Sequence, residues 1–231
     1  MQYPNVMPLR ADTLPYRKPE PGKHYWIKDN ILPDPYTVVE RCYNKPFWML
    51  GSPWRNEPWP GIRAPEALLP PELAIIVDWV KAQVGAAEIQ PAPSTPTHYS
   101  SHNYVQIVGG NDGVARPHVD STSFCDYASV LYLHPCPPTK HSGTSIYRLR
   151  LPDGTLGGNI CPPGYDSLSK IPGFEEMDLS MWQEELEVEC VFNRISMYKS
   201  DFVHSATSYF GWDHQLCSKR ITVTFFWKVI A

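Results

Sequence analysis

Two side chains able to bind a metal stand two apart in the run Arg116-Pro117-His118-Val119-Asp120. On an extended backbone alternate side chains leave the same face, so the His118 imidazole and the Asp120 carboxylate project side by side. That is half of a metal site, and a second imidazole must come from a distant strand. His204, in Phe202-Val203-His204-Ser205, is the candidate. Two imidazoles and one carboxylate on one face of a divalent metal leave three coordination positions open to small ligands. Arg220, in Lys219-Arg220-Ile221-Thr222, adds an always charged planar fork that suits a carboxylate better than the neighbouring Lys219.

The triplet alone is a weak signal. The chain holds 8 His and 24 acidic residues among 231, so a His-x-Asp or His-x-Glu arises by chance about as often as not. A solitary His near a strand end is more often a hydrogen-bonded structural residue than a ligand, and an Arg opening a strand often forms a surface ion pair. Order and setting supply the weight that the triplet lacks.

The elements that must position these residues are mostly strands. From residue 103 onward the chain alternates in short runs, at 103–108, around His118 and Asp120, then at 128–133, 145–151, 194–198, 202–207 and 220–229. The turn signals Gly109-Gly110-Asn111-Asp112-Gly113 and Pro152-Asp153-Gly154 separate some of them. Residues 180–189 read as a short helix. Ahead of the strands, Asp34-Pro35 predicts a capped helix entry, with Val38, Val39 and Cys42 on its inner face. Leu73, Ile76, Val77, Val80 and Val84 give helical periodicity over 71–84, stopped by Gly85. Residues 1–23 form a Pro-rich arm, 24–27 a first strand, and 86–100 a loop. A Gly/Pro insertion over 156–180 is too long for a plain connection and predicts a lid over the site that chooses the substrate.

Composition narrows the class. With 42% hydrophobic and 19% charged residues the chain buries a core. The pattern predicts a single domain over 1–231, with an N-terminal arm and supporting helices over 1–100 and a strand-built core over 101–231, interrupted at about 152–180. The fold class expected is mainly β with N-terminal helices, a double-stranded β-helix (jelly-roll, cupin-like) barrel whose open mouth is the natural pocket. A net charge of −4 offers no basic stripe for a phosphate backbone, so a nucleic-acid partner is not expected. The opening residues lack the apolar core of a secretory signal, and no apolar run is long enough to span a bilayer. The six Cys form no Cys-x-x-Cys pair and are expected to be reduced thiols in a cytoplasmic protein with no membrane partner.

The block from Tyr104 to Trp227 resembles the 2-oxoglutarate/Fe(II) dioxygenase superfamily, in particular its prolyl-4-hydroxylase-like branch. A Tyr-bearing strand, Asn103-Tyr104-Val105-Gln106-Ile107, precedes the His-x-Asp. Val130-Leu131-Tyr132-Leu133 and Ser142-Gly143-Thr144 stand where the branch has a Leu-Tyr-Leu strand and a Gly-Gly-x-Thr turn, with one glycine missing. The distal His follows in a strand-turn-strand, and Arg220 opens the final strand before Ile221-Thr222-Val223-Thr224-Phe225. Asp29-Asn30-Ile31-Leu32-Pro33-Asp34-Pro35 is similar to the helix entry of bacterial members.

The resemblance implies Fe(II) held by His118, Asp120 and His204, with 2-oxoglutarate as co-substrate and O2 as oxidant. Arg220 would anchor the far carboxylate, helped by Thr222 on the same strand face and by Tyr132 or Tyr104, between which the sequence does not choose. It further implies hydroxylation of an unactivated C–H of an amino acid, peptide or natural-product scaffold, with release of succinate and CO2. Trp54, His102 and Arg116 are candidate substrate contacts. A halogenase would lack the carboxylate ligand, which Asp120 supplies. A non-oxidative metal-binding cupin would not need Arg220, and a nucleic-acid demethylase of the same superfamily fits poorly with the acidic balance.

Overall fold

The computed structural model describes residues 14–94, 99–171, 174 and 179–230, so the first part of the Pro-rich arm and pieces of the 156–180 insertion lie outside the described residues. The chain runs β1 (Tyr25–Lys28), α1 (Pro35–Tyr43), β2 (Met49–Leu50), β3 (Ile62–Ala64), α2 (Pro70–Val84), β4 (Glu88–Pro91), β5 (Tyr104–Val108) and β6 (Tyr127–Tyr132). It continues through β7 (Thr144–Leu149), β8 (Trp182–Val188), β9 (Arg194–Lys199), β10 (His204–Ala206) and β11 (Arg220–Ile230). Among the described residues no helix is long and apolar enough to cross a membrane.

The strands form two antiparallel sheets. One has eight strands in the order β1-β9-β6-β11-β5-β3-β2, with β4 also pairing β11, and the other is β10-β7-β8. A closed barrel was expected, but the hydrogen-bond ladders of the described residues do not join the two sheets. Side chains hold them together instead. Tyr132 of the large sheet packs with Val188 of β8 and with Cys190 just beyond it, while Ile146, Ile160 and Phe202 form a separate apolar cluster on the small sheet.

Alternation along β11 gives the large sheet two different faces. Ile221, Val223, Phe225 and Trp227 are fully buried in a core shared with Val38 and Cys42 of α1 and Ile76 and Val80 of α2. Arg220, Thr222, Thr224 and Phe226 point to the opposite face and line a cavity. A register slip of one residue would exchange the two sets, so the burial of the apolar four fixes the direction of Arg220 and Thr222.

The helices form for the expected local reasons. The Asp34 carboxylate accepts from the Thr37 N–H at 3.2 Å and from its hydroxyl at 2.7 Å, ahead of Pro35. In α2, Glu72 reaches back to the Leu69 N–H at 2.8 Å, and Gly85 ends the helix at φ +65°.

Three local expectations are corrected. Residues 182–188 are strand β8, entered through a short turn at Leu179–Met181, not a helix. Trp182 and Val188 are buried at its ends while the charged residues between them stay half-exposed, and pairing with β7 decides the conformation. Residues 88–91 add β4 to the end of β11, a pairing that local sequence does not encode. Around His118 there is no continuous strand, only a single bridge to His204.

Candidate metal centre

His118 and His204 face each other as a mutual backbone pair. The His118 N–H donates to the His204 carbonyl at 2.9 Å, and the His204 N–H returns the bond at 2.8 Å. This one bridge fixes the spacing of the two imidazoles, whose ring centroids are 4.6 Å apart. The Nδ1 of His118 lies 2.8 Å from the Arg116 carbonyl and that of His204 2.9 Å from the Phe202 carbonyl. A carbonyl only accepts, so each Nδ1 carries the proton and each Nε2 keeps its lone pair when the ring is neutral. Burial, partly offset by the Asp120 charge, pulls His204 down to about 4, so it is neutral at physiological pH.

Asp120 completes the group. Its Oδ1 is 3.9 Å from His118 Nε2 and its Oδ2 is 3.4 Å from His204 Nε2, and the three ligand atoms all lie within 4.8 Å of one another. Asp120 Oδ2 is buried and accepts no hydrogen bond among the described residues. A carboxylate lone pair thus meets an imidazole lone pair with no hydrogen between them. Such an arrangement is costly on its own and is relieved by a cation. His118 lies on the open side, with 57% of its side chain exposed, whereas His204 is buried. The donor set, two nitrogens and one carboxylate oxygen, fits a divalent first-row metal.

These residues border a cavity of about 780 Å³ that also takes in Arg220 and Thr222. Arg220 is buried, and its Nε and Nη2 donate to the Ser142 and Gly143 carbonyls at 2.7 and 3.0 Å. Gly143 is sterically required there, because a Cβ would fall 1.7 Å from the Val188 carbonyl oxygen. Among the described residues no carboxylate lies within ion-pair distance of Arg220, and the buried Thr222 hydroxyl has no hydrogen-bond partner. A buried cation and an unpaired hydroxyl side by side on one strand face make a receptor for an anion.

The tyrosines are distributed otherwise than the sequence could decide. Tyr132 sits behind Arg220, its ring centroid 5.7 Å from the guanidinium, and its hydroxyl is used by Thr144 at 2.8 Å and Ser196 at 3.1 Å. Tyr104 is opposite Thr224, a register four residues along β11 from Arg220, and its hydroxyl meets that of Tyr99 at 2.6 Å. It is off the cavity wall. Tyr209, which sequence reasoning missed, lines the cavity with its ring 5.9 Å from the Arg220 guanidinium. It lies in an irregular segment where no periodicity marks a direction. Tyr198 was also missed; it packs on the His204 ring at 4.4 Å and walls the cavity. Strand alternation on β9 was its available signal.

Of the three candidate substrate contacts, only Arg116 lines the cavity. Trp54 is exposed, with Lys219 over its ring at 5.8 Å, and the nearby Trp59 takes the place on the wall. His102 is clasped by the Phe226 backbone, with Nδ1 2.8 Å from its carbonyl, between the rings of Phe225 and Trp227. It is a packing residue. From the insertion, Asp166 and Ser167 reach the cavity wall while Leu168, Ile171 and Phe174 are buried against Leu149 and Trp182.

No family model and no curated protein matches the sequence. Among solved structures the chain is similar to the non-haem α-ketoglutarate-dependent epimerase SnoN of nogalamycin biosynthesis, with 14% identity, 89% of this chain and 78% of that chain covered, and a TM-score of 0.53. The same epimerase in complex with Fe3+, α-ketoglutarate and nogalamycin RO gives 12% identity, 89% and 79% coverage, and 0.48. A prolyl-4-hydroxylase of Pseudomonas putida gives 14%, 88% and 93%, and 0.47. The architecture is thus that of a 2-oxoglutarate/Fe(II) oxygenase-like fold, mainly β with antiparallel sheets. At these identities the likeness is one of fold, and the chemistry must be argued from the site.

Proposed function

We propose that the protein is a non-haem Fe(II)- and 2-oxoglutarate-dependent oxygenase, built as one jelly-roll domain, that hydroxylates a C–H of a small-molecule or peptide substrate. The observation that carries this reading is the joint presence, in one cavity, of Asp120 Oδ2 without a partner and of Arg220 without a counter-ion. The first asks for a cation and the second for an anion. A metal chelated by a 2-oxo acid whose far carboxylate reaches Arg220 answers both. A metal-binding protein without a carboxylate co-substrate would leave the Arg220 end unexplained.

In this reading His118, Asp120 and His204 hold the iron, and Arg220 with Thr222 holds the C5 carboxylate of 2-oxoglutarate. Tyr132 backs the Arg220 guanidinium, which the Ser142 and Gly143 carbonyls aim into the cavity. Iron held there would supply the means of coupling oxidative decarboxylation of the 2-oxo acid to substrate oxidation, with one atom of O2 ending in succinate, the other in the product hydroxyl, and CO2 released. The chain's own contribution is placement: the carbonyls behind both Nδ1 atoms keep the imidazoles turned inward, and Tyr198 shields the buried side of His204 from water. Succinate formation from 2-oxoglutarate should require both Fe(II) and O2 and should vanish in His204→Ala. Succinate formation that persists in that variant would remove His204 from the site.

A further inference from the structure

The cavity holds a second cation that the metal and the 2-oxo acid leave unused. Arg63, on β3, is paired in register with Met49 of β2 and Gln106 of β5, and Gln106 is in turn opposite Thr222. All four line the cavity. They form one cross-strand row on the inner face of the large sheet, with Arg63 two strands from Thr222, about 10 Å at ordinary strand spacing. A substrate lying beside the co-substrate along this row would come within reach of Arg63.

We propose that Arg63, stacked on Trp59, is the receptor for an oxyanion on the substrate, so that the substrate class is a small molecule or peptide bearing a free carboxylate or phosphate. The substrate assignment rests on the oxygenase reading, whereas the receptor itself does not. The Arg63 guanidinium lies 3.6 Å from the centroid of the Trp59 ring, which fixes its plane and spares its edge for a two-pronged contact. Its Nε is buried without a hydrogen-bond partner, and no carboxylate among the described residues comes within ion-pair distance. Burial lowers its pKa to about 9, the expected effect on a cation removed from water without a bound counter-ion, and it stays charged at neutral pH.

The charges around the cavity point the same way. Its cationic lining residues are Arg63, Arg116 and Arg220, and its acidic ones are Glu57, Asp120 and Asp166. Asp120 belongs to the metal and Asp166 is paired with Lys170 at 2.7 Å. Once a 2-oxo acid occupies Arg220, the one other acidic lining residue among the described residues left to Arg63 and Arg116 is the exposed Glu57. The substrate end of the cavity is therefore left positive, which favours an anionic ligand.

The test uses three ring compounds of similar size: benzoate, phenyl phosphate and neutral benzamide. Each is titrated calorimetrically into metal-free Arg220→Ala protein, so that neither coordination to iron nor the anion receptor at Arg220 can contribute. At least one anion should bind tenfold or more tightly than benzamide, and whichever does identifies the oxyanion. Arg63→Gln should abolish that preference. Arg63→Lys, which keeps the charge and loses the fork, should retain part of it and serves as the folded control. In that background an anion preference that survives Arg63→Gln, or no preference at all, would overturn the proposal. In a separate arm, Fe(II) and 2-oxoglutarate binding is followed by the visible absorption of the chelate, which Arg63→Gln should leave unchanged. Absence of that signal in the unaltered protein would count against the oxygenase reading and not against the receptor.

Discussion

Asp120 turns a carboxylate oxygen toward the lone pair of His204 Nε2 at 3.4 Å with no hydrogen between them. Asp120→Asn should therefore act in opposite directions on metal binding and on metal-free stability. Its amide N–H can donate to His204, which is worth about 1 kcal/mol, so thermal melting of the metal-free variant should match or exceed that of the parent. Fe(II) affinity should fall at least tenfold. An equal loss of both would make Asp120 a structural residue. Arg220→Ala should weaken 2-oxoglutarate binding by on the order of 2–5 kcal/mol, about thirtyfold or more, with partial recovery in Arg220→Lys; unchanged affinity would move the anchor elsewhere. His102 gives a pH signature away from the metal. Burial lowers it to about 4 from an ordinary 6.5, so the unfolded chain binds more protons between those values. Stability is then lost as pH falls from about 6.5 through 4. The urea midpoint should drop from pH 7 to pH 5, and drop less in His102→Gln; equal slopes would contradict the assignment. At this scale the sequence showed which residues come together where a residue's chemistry is rare in its setting: His118, Asp120 and His204 converge, and Arg220 lines the same cavity. Trp54 and His102 misled because an aromatic or imidazole serves packing equally well, and only tertiary neighbours decide.

Elements make these residues converge. Strand β11 buries Ile221, Val223, Phe225 and Trp227 on one side and so delivers Arg220 and Thr222 to the other. That alternation is written in the sequence, as is the capped start of α1. What was not legible depends on partners far along the chain. Residues 182–188 become a strand because β7 offers an edge, and His118, in an irregular segment, meets His204 at the start of β10 through one bridge. The 156–180 segment touches the cavity at Asp166 and Ser167 but is anchored by Leu168, Ile171 and Phe174 beneath. Phe174→Ala should cost about 3–5 kcal/mol if the cavity it leaves does not collapse. With the anchor loosened, limited proteolysis should cut within this segment sooner, while 2-oxoglutarate affinity stays within about twofold. An unchanged cleavage rate would mean that the anchor does not control the segment.

The whole molecule is two antiparallel sheets held together by side chains, with the helices on the outer face of the large sheet and the cavity on its inner face. Ligands that bind only this arrangement stabilise it by mass action, roughly 2.7 kcal/mol at a hundredfold excess over the dissociation constant. On the oxygenase reading, Fe(II) and 2-oxoglutarate together should raise the melting temperature more than either alone, because Asp120 and Arg220 would then each gain a partner of opposite charge. The most direct measurement is an anaerobic titration of the protein with Fe(II), first alone and then with 2-oxoglutarate, read by visible absorption. The oxygenase reading predicts a weak metal-to-ligand charge-transfer band that needs both ligands, saturates at one iron per chain and is lost in His204→Ala. Binding of Fe(II) with no such band on adding 2-oxoglutarate would contradict it.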